Sequence, residues 1–263
     1  MKKTRLNIIG CGNMSNALVP LISKRHPEIS FYTYTPTMTK AVELAEKIEG
    51  TVCKSLDEMN AGDYYLLACK PQQFKDLAKK LHPIIDSNCT VISVMAGVST
   101  KKIGDLLSIK KIIRVMPNTP SSIGLGVHGV FATNDCNLKL IQKWLSTTGK
   151  VFTFDNEEQI NKITPFSGSG PAYIFEMASI LSEKMSEYGF SEEDSRAIIA
   201  QTFVGASQML VSSTESSKQL RENVTSKKGV TEKALAILKE HKINEIFSKA
   251  IDGAYERSLE LND

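Results

Sequence analysis

Leu6-Asn7-Ile8-Ile9-Gly10-Cys11-Gly12-Asn13-Met14-Ser15 decides the fold of the first half of the chain. Leu6–Ile9 is a short apolar run of the kind that forms a buried strand, and Ala17, Leu18, Leu21 and Ile22 then recur at helical spacing. Between them Gly10 permits the sharp turn and Gly12 keeps the backbone open to a close ligand, while the third position needs only a small residue, here Ser15. A pyrophosphate at this turn would meet unpaired N–H groups and the positive end of the helix dipole. Strand, glycine turn and helix in this order predict a dinucleotide site on Gly10, Cys11, Gly12, Asn13 and Met14, set against a tight turn that binds nothing.

The next strand, Ile29–Tyr34, tests which dinucleotide. A carboxylate beyond it would bond a free ribose 2′-hydroxyl, but the chain continues Thr35-Pro36-Thr37-Met38-Thr39-Lys40. Hydroxyls at Thr35 and Thr37 with Lys40 suit a 2′-phosphate, which predicts NADPH over NADH; the alternative is a loop of capping residues for a helix starting near Thr39. Further strands at Tyr64–Ala68, Thr90–Val94 and Lys111–Val115 alternate with helices near Phe74–Leu81 and from Ser99, and a helix over Asn137–Trp144 precedes a last strand at Val151–Phe154. Such alternation predicts a parallel sheet with helices on both faces, a doubly wound Rossmann-type α/β domain whose ligands lie at the carboxyl ends of the strands. Three more loops fall on that edge: Ala68-Cys69-Lys70-Pro71-Gln72, Met95-Ala96-Gly97 and Met116-Pro117-Asn118-Thr119-Pro120. Each loop alone reads as turn chemistry, but all three share the edge of the glycine turn, as a cofactor cleft requires, which adds Ala68, Cys69, Lys70, Pro71, Ala96, Gly97 and Asn118 to the candidate cofactor site.

At Ser167-Gly168-Ser169-Gly170-Pro171-Ala172-Tyr173 the pattern changes from strand and helix to helix alone. The string predicts a helix start, with Ser169 or Gly170 capping, Pro171 at the first position, and an anion-attracting amide end; an interdomain linker is the plainer reading. Ile174, Ala178, Leu181, Met185 and Tyr188 make one stripe ended by Gly189, and Ser191-Glu192-Glu193-Asp194 resembles a capping box. The helix that follows is apolar nearly all round (Ile198, Ile199, Phe203, Val204, Met209, Leu210, Val211), so it must be covered, and a twofold homodimer is the default cover. The expected domains are 1–160, dinucleotide-binding, and 161–263, all-helical, for dimerisation and substrate binding. In Val224-Thr225-Ser226-Lys227-Lys228-Gly229-Val230-Thr231 two hydroxyls and a helix start suit a small carboxylate, or equally a solvated loop.

The composition excludes several functions. Thirty-two basic and 29 acidic residues give a net charge of +3 with no basic cluster, which argues against a nucleic-acid partner. Five separated cysteines without a C-x-x-C pair signal neither a disulfide framework nor a metal site. Lys2, Lys3 and Arg5 precede an apolar run too short for a secretion signal, and no stretch could span a bilayer, so a cytoplasmic protein is expected. A serine hydrolase built on Ser169 would require glycine where Ser167 stands.

Together these strings resemble pyrroline-5-carboxylate reductase over almost the whole chain. Ile9–Met14 looks like its I-G-x-G-N-M loop, Ala68–Gln72 its A-V-K-P-Q loop, Arg114–Pro120 its R-V-M-P-N-T-P loop, and Ser167–Tyr173 its specific S-G-S-G-P-A-Y signature. Gln201-Thr202, Gly205-Ala206 and Leu220–Val224 are similar to later family strings. The resemblance implies hydride transfer from NADPH or NADH to the C=N carbon of 1-pyrroline-5-carboxylate, giving L-proline. It also implies a carboxylate site on Ser226, Lys228, Gly229, Val230 and Thr231, and Thr164 near the nicotinamide. The active site is then expected at the interface of a homodimer, with larger rings of dimers known in the family. The family loop usually reads S-P-G-G-x-T, so Lys227 and Lys228 replace a proline and a glycine, and Ser179 stands where an acid is common. A paralogue altered in substrate, or kept as a cofactor-binding regulator, is the competing expectation.

Overall fold

The computed structural model describes residues 3–59, 62–133 and 136–261 of the 263. The strands are β1 (Thr4–Ile9), β2 (Ile29–Tyr34), β3 (Thr51–Val52), β4 (Tyr64–Leu67), β5 (Thr90–Ser93), β6 (Ile112–Met116), β7 (Gly126–Ala132) and β8 (Gly149–Thr153). The helices among them are α1 (Asn13–Arg25), α2 (Met38–Ile48), α3 (Pro71–Leu81), α4 (Thr100–Leu107), α5 (Leu138–Leu145) and α6 (Glu158–Ile163). Then come α7 (Gly170–Glu187), α8 (Glu192–Ser212), α9 (Ser217–Asn223), α10 (Val230–Glu240) and α11 (Ile243–Glu260). The chain divides into two compact units, Met1–Pro171 with Ala254–Asp263, and Ala172–Gly253.

In the first unit one sheet runs β3-β2-β1-β4-β5-β6-β7-β8, the doubly wound order extended by two strands. Alternate residues face opposite layers, as the two-residue period of a strand requires. Leu6, Ile8, Leu66, Ile92, Ile113 and Val115 pack with α1, α2 and α5, while Ile9, Tyr65, Leu67, Val91 and Ile112 pack with α3 and α4. The expectation of a wholly parallel sheet needs one correction, because β7 runs antiparallel to β6, with Val115 opposite Val130. Its sequence, Gly-Val-His-Gly-Val-Phe-Ala, hides the strand pattern behind two glycines and a histidine. His128 on β7 is fully buried against the Thr148 hydroxyl at 2.9 Å, and its Nδ1 has no partner. Burial pushes the imidazole down to about 4 against the opposing hydrogen bond with Thr148.

The second correction concerns Ser167–Tyr173. α7 does start where expected, at Gly170 with Pro171 its second residue, but what precedes it is not an open linker: Thr164–Gly168 is a π turn that follows α6 and leads to it through Ser169. The Ser169 N–H, which a capped start would leave free, donates to the Thr164 carbonyl at 3.1 Å.

In the second unit Ser191 caps α8 by accepting from the Asp194 N–H at 3.0 Å, and Gly189, at φ +86°, ends α7. The apolar residues of α7 and α8 stay uncovered in the single chain: Phe175, Ile180, Val204 and Val211 are each more than half exposed.

Candidate functional site

The glycine turn has the geometry that its residue types predict. Gly10 sits at φ +101°, and a Cβ there would lie 2.6 Å from the Ala68 carbonyl carbon and oxygen, so conformation and space both demand glycine. Gly12 differs: an added Cβ meets no atom within 4 Å, which leaves an open approach to the backbone where α1 begins. Ser15 is buried and donates back to the Gly10 carbonyl, the compact role of the motif's third position. Asn16 bonds the Gly12 carbonyl at 3.1 Å and is itself bonded by Lys47 at 2.9 Å, which ties α1 to α2.

No side chain caps α1, α2 or α3, and none of the three has an acid in its first turn. These helices follow β1, β2 and β4, so their open amide ends collect along one sheet edge, as a dinucleotide with several phosphates requires. The end of α4 is closed. Ser99 accepts from the Lys102 N–H at 3.2 Å, and the Glu157 carboxylate takes the Thr100 N–H and hydroxyl, each at 2.7 Å. At α2, Thr37 occupies the capping position without capping, and Thr35 beside it is half-buried. Lys40 is exposed one turn in.

Thiols within this edge are neutral. Burial pushes Cys11 up to about 11 against the opposing bond to the Tyr34 carbonyl, and Cys69 also to about 11, so neither presents a thiolate to a phosphate at neutral pH. Cys69 Sγ contacts Met95 Sδ at 3.4 Å, joining the β4–α3 and β5–α4 loops. Gly97 takes φ +70°, and the space a side chain would fill is occupied by Leu261 from the end of the chain. Ala96 beside it is half-buried, whereas Lys70 is exposed before Pro71 opens α3. Asn118 is 6% exposed with both ends of its carboxamide bonded within the protein.

Beneath the edge lies a charge cluster that motif reading missed. Arg114, 1% exposed on β6, donates to the Glu157 carboxylate at 3.1 Å and to the Asn161 side-chain Oδ1 at 2.8 Å. Burial draws its pKa down and the Glu157 carboxylate opposes that shift. The partners stand 43 and 47 residues away in sequence, too far for any local pattern to connect. Thr164, half-buried, donates its hydroxyl proton to the Ile160 carbonyl at 2.6 Å and so presents only acceptor lone pairs to a ligand.

In the second unit the Gly229 N–H closes a turn onto the Ser226 carbonyl at 3.0 Å, with Lys228 at φ +56°. Positive φ at the third residue is the mark of a type II turn, for which proline then glycine are the preferred central pair. Lys227 and Lys228 make the same turn without those residues. The Lys228 N–H is held by the Glu232 carboxylate at 2.7 Å, Gly229 begins α10 without a side-chain cap, and Val230 and Thr231 are exposed. Just before the loop, Asn223 bonds the Glu215 carboxylate at 3.1 Å and accepts from Gln219 at 2.9 Å.

The pyrroline-5-carboxylate reductase dimerisation model matches residues 157–261, and the model for NADP oxidoreductase, coenzyme F420-dependent, matches residues 5–97. A pyrroline-5-carboxylate reductase of Vibrio alginolyticus is 33% identical, with 99% of this chain and 98% of that protein covered. One from Haemophilus influenzae is 31% identical with the same coverage. Among solved structures, the Coxiella burnetii pyrroline-5-carboxylate reductase superposes with a TM-score of 0.85 at 33% identity, covering 99% of each chain. A Plasmodium falciparum pyrroline carboxylate reductase with NADP bound shares the fold at a TM-score of 0.88 and 24% identity, covering both chains completely.

Proposed function

Because the chain belongs to the pyrroline-5-carboxylate reductase family, we propose that it reduces the C=N bond of 1-pyrroline-5-carboxylate to give L-proline, using NADPH in preference to NADH. The observation that carries this reading is the open Gly12 at the uncapped start of α1, a cradle that fits a dinucleotide pyrophosphate. A bound nicotinamide supplies the hydride. Gly10–Met14 would hold the pyrophosphate through backbone amides, and Ala68–Pro71 with Ala96 and Gly97 would line the cleft beyond. Thr35, Thr37 and Lys40 at the uncapped α2 suit the 2′-phosphate, and no carboxylate in the first turn of α2 opposes it.

Ser226, Lys228, Gly229, Val230 and Thr231 would take the substrate carboxylate at the start of α10. Thr164, with its proton committed, would orient an N–H donor and not deliver a proton. Catalysis on this reading rests on orientation and proximity, with no protein acid assigned. The uncovered apolar faces of α7 and α8 support a homodimer, with rings of dimers the larger assembly and the cytoplasm the expected site of action. The purified protein should oxidise NADPH only when the cyclic imine is added, and absence of imine-dependent turnover would refute the reading. Lys40→Glu should lower the NADPH-to-NADH preference by roughly tenfold or more by placing a carboxylate where the 2′-phosphate is proposed.

A further inference from the structure

Strand β6 ends at Met116, and Pro117 and Asn118 follow on the edge that carries the open helix amides. Asn118 Nδ2 donates to the Ser167 carbonyl at 3.0 Å, and its Oδ1 accepts from the Val127 N–H at 2.9 Å. The first bond has a specific cause. In an α-helix the Ser167 carbonyl would receive the N–H of residue 171, but Pro171 has none to give. Asn118 supplies the missing donor from another element. The π turn also lies on the strand end itself, since a Cβ at Gly168 would stand 3.4 Å from Met116 Sδ. One turn earlier, Arg114 grips Asn161 of α6. The widened turn is thus anchored to β6 on both sides, and wide turns of this kind recur at functional walls.

We propose that Asn118 is a positioning residue for the reduction, holding the Thr164–Gly168 turn in its π register where it walls the nicotinamide end of the cofactor cleft. The proposal rests on the reductase reading. The sheet order places β2, with the 2′-phosphate candidates, on one side of the β1 glycine turn and β4, β5 and β6 on the other. A dinucleotide whose pyrophosphate lies over β1 therefore extends its nicotinamide half toward β6. A wall displaced there by a fraction of an ångström would disturb hydride alignment without touching the phosphate contacts that set affinity.

The test uses Asn118→Asp and the pair Asn118→Asp/Pro171→Ala in the full chain. Aspartate keeps the acceptor for Val127 but removes the donor to Ser167; the pair restores an N–H at residue 171 and so satisfies the carbonyl through ordinary α-helix. In cofactor-free Asn118→Asp, exchange of the Ser169 amide should accelerate by about tenfold or more. In the same variant kcat should fall by about tenfold or more, while the Kd for NADPH changes less than about threefold. The double variant should regain thermal stability while kcat stays low. Unchanged Ser169 exchange, kcat within about threefold of the parent, a Kd rising in step with the loss of kcat, or kcat recovering with stability in the double variant would each overturn the proposal. If the parent protein fails to reduce the imine, the reductase reading falls by itself, and Ser169 exchange still decides whether Asn118 holds the turn.

Discussion

Replacing Lys228 by glycine should make the protein more stable and, at the same time, a weaker binder of its imine. Lys228 holds φ +56° in the turn closed by Gly229 onto Ser226. A left-handed conformation costs an L-residue about 1–2 kcal/mol, and glycine returns about 0.5–1 kcal/mol of that through the greater freedom of its unfolded chain. The net gain is about 0.5–1 kcal/mol, or a rise of roughly 1–4 °C in Tm for a chain of this size. The Glu232 bond involves the backbone N–H, so it survives the substitution. Lys228→Ala is the control, since it removes the same charge while leaving the strained φ in place. Calorimetry of both variants should show a stabilised glycine form and an alanine form no more stable than the parent. If the ammonium assists the carboxylate, both variants should raise the KM for the imine by a similar factor, about threefold to tenfold, shrinking as salt is added. A glycine variant no more stable than the alanine one would refute the conformational argument, and KM values that diverge between the two would refute the electrostatic one.

The two motif glycines should fail differently: Gly10→Ala should lower Tm sharply because its Cβ meets the Ala68 backbone, whereas Gly12→Ala should keep its Tm but weaken NADPH binding by about tenfold or more, as read by fluorescence titration. His128 titrates near 4 when folded against 6.5 as a free group, so the unfolded chain binds the extra proton between those values. Its stabilisation is therefore complete above pH 6.5 and lost as pH falls toward 4, amounting to about 3 kcal/mol. Tm profiles of the parent and His128→Asn should converge across that window, and parallel profiles would contradict the assignment. Glu157→Gln should cost about 3 kcal/mol by leaving buried Arg114 without a counter-charge, and Arg114→Met in the same chain should recover part of the loss; additive losses in urea unfolding would argue against the coupling.

How much of this was readable in advance depended on whether the deciding interaction was local. Strand β2 falls on the expected residues Ile29–Tyr34, and Ser99, Asn137 and Ser191 cap the helices that their positions announced, because strand period and cap chemistry act within a few residues. The glycine turn belongs to the same class. Strand β7 was missed because its evidence lies in pairing with β6, and α9 because seven residues give a weak periodic signal. The Arg114–Glu157–Asn161 cluster joins residues that only the folded sheet brings together.

Ser167–Tyr173 shows a correct local rule that still tells only part of the structure, since α7 starts at Gly170 with Pro171 second but is entered through a π turn. Glycine, serine and proline in that order do favour a helix start, since a proline in mid-helix leaves a carbonyl unpaired. What the rule does not supply is the distant donor: Asn118 satisfies the Ser167 carbonyl, and the chain reaches α7 from α6 through a π turn in place of a solvated linker. The rule leaves the Ser167 carbonyl to solvent, whereas in the fold it accepts from Asn118, 49 residues earlier. The same contact changes the reading of Asn118. Its loop position suggested a ligand contact, but with both ends of the carboxamide committed, its influence on a ligand passes through the turn that it holds.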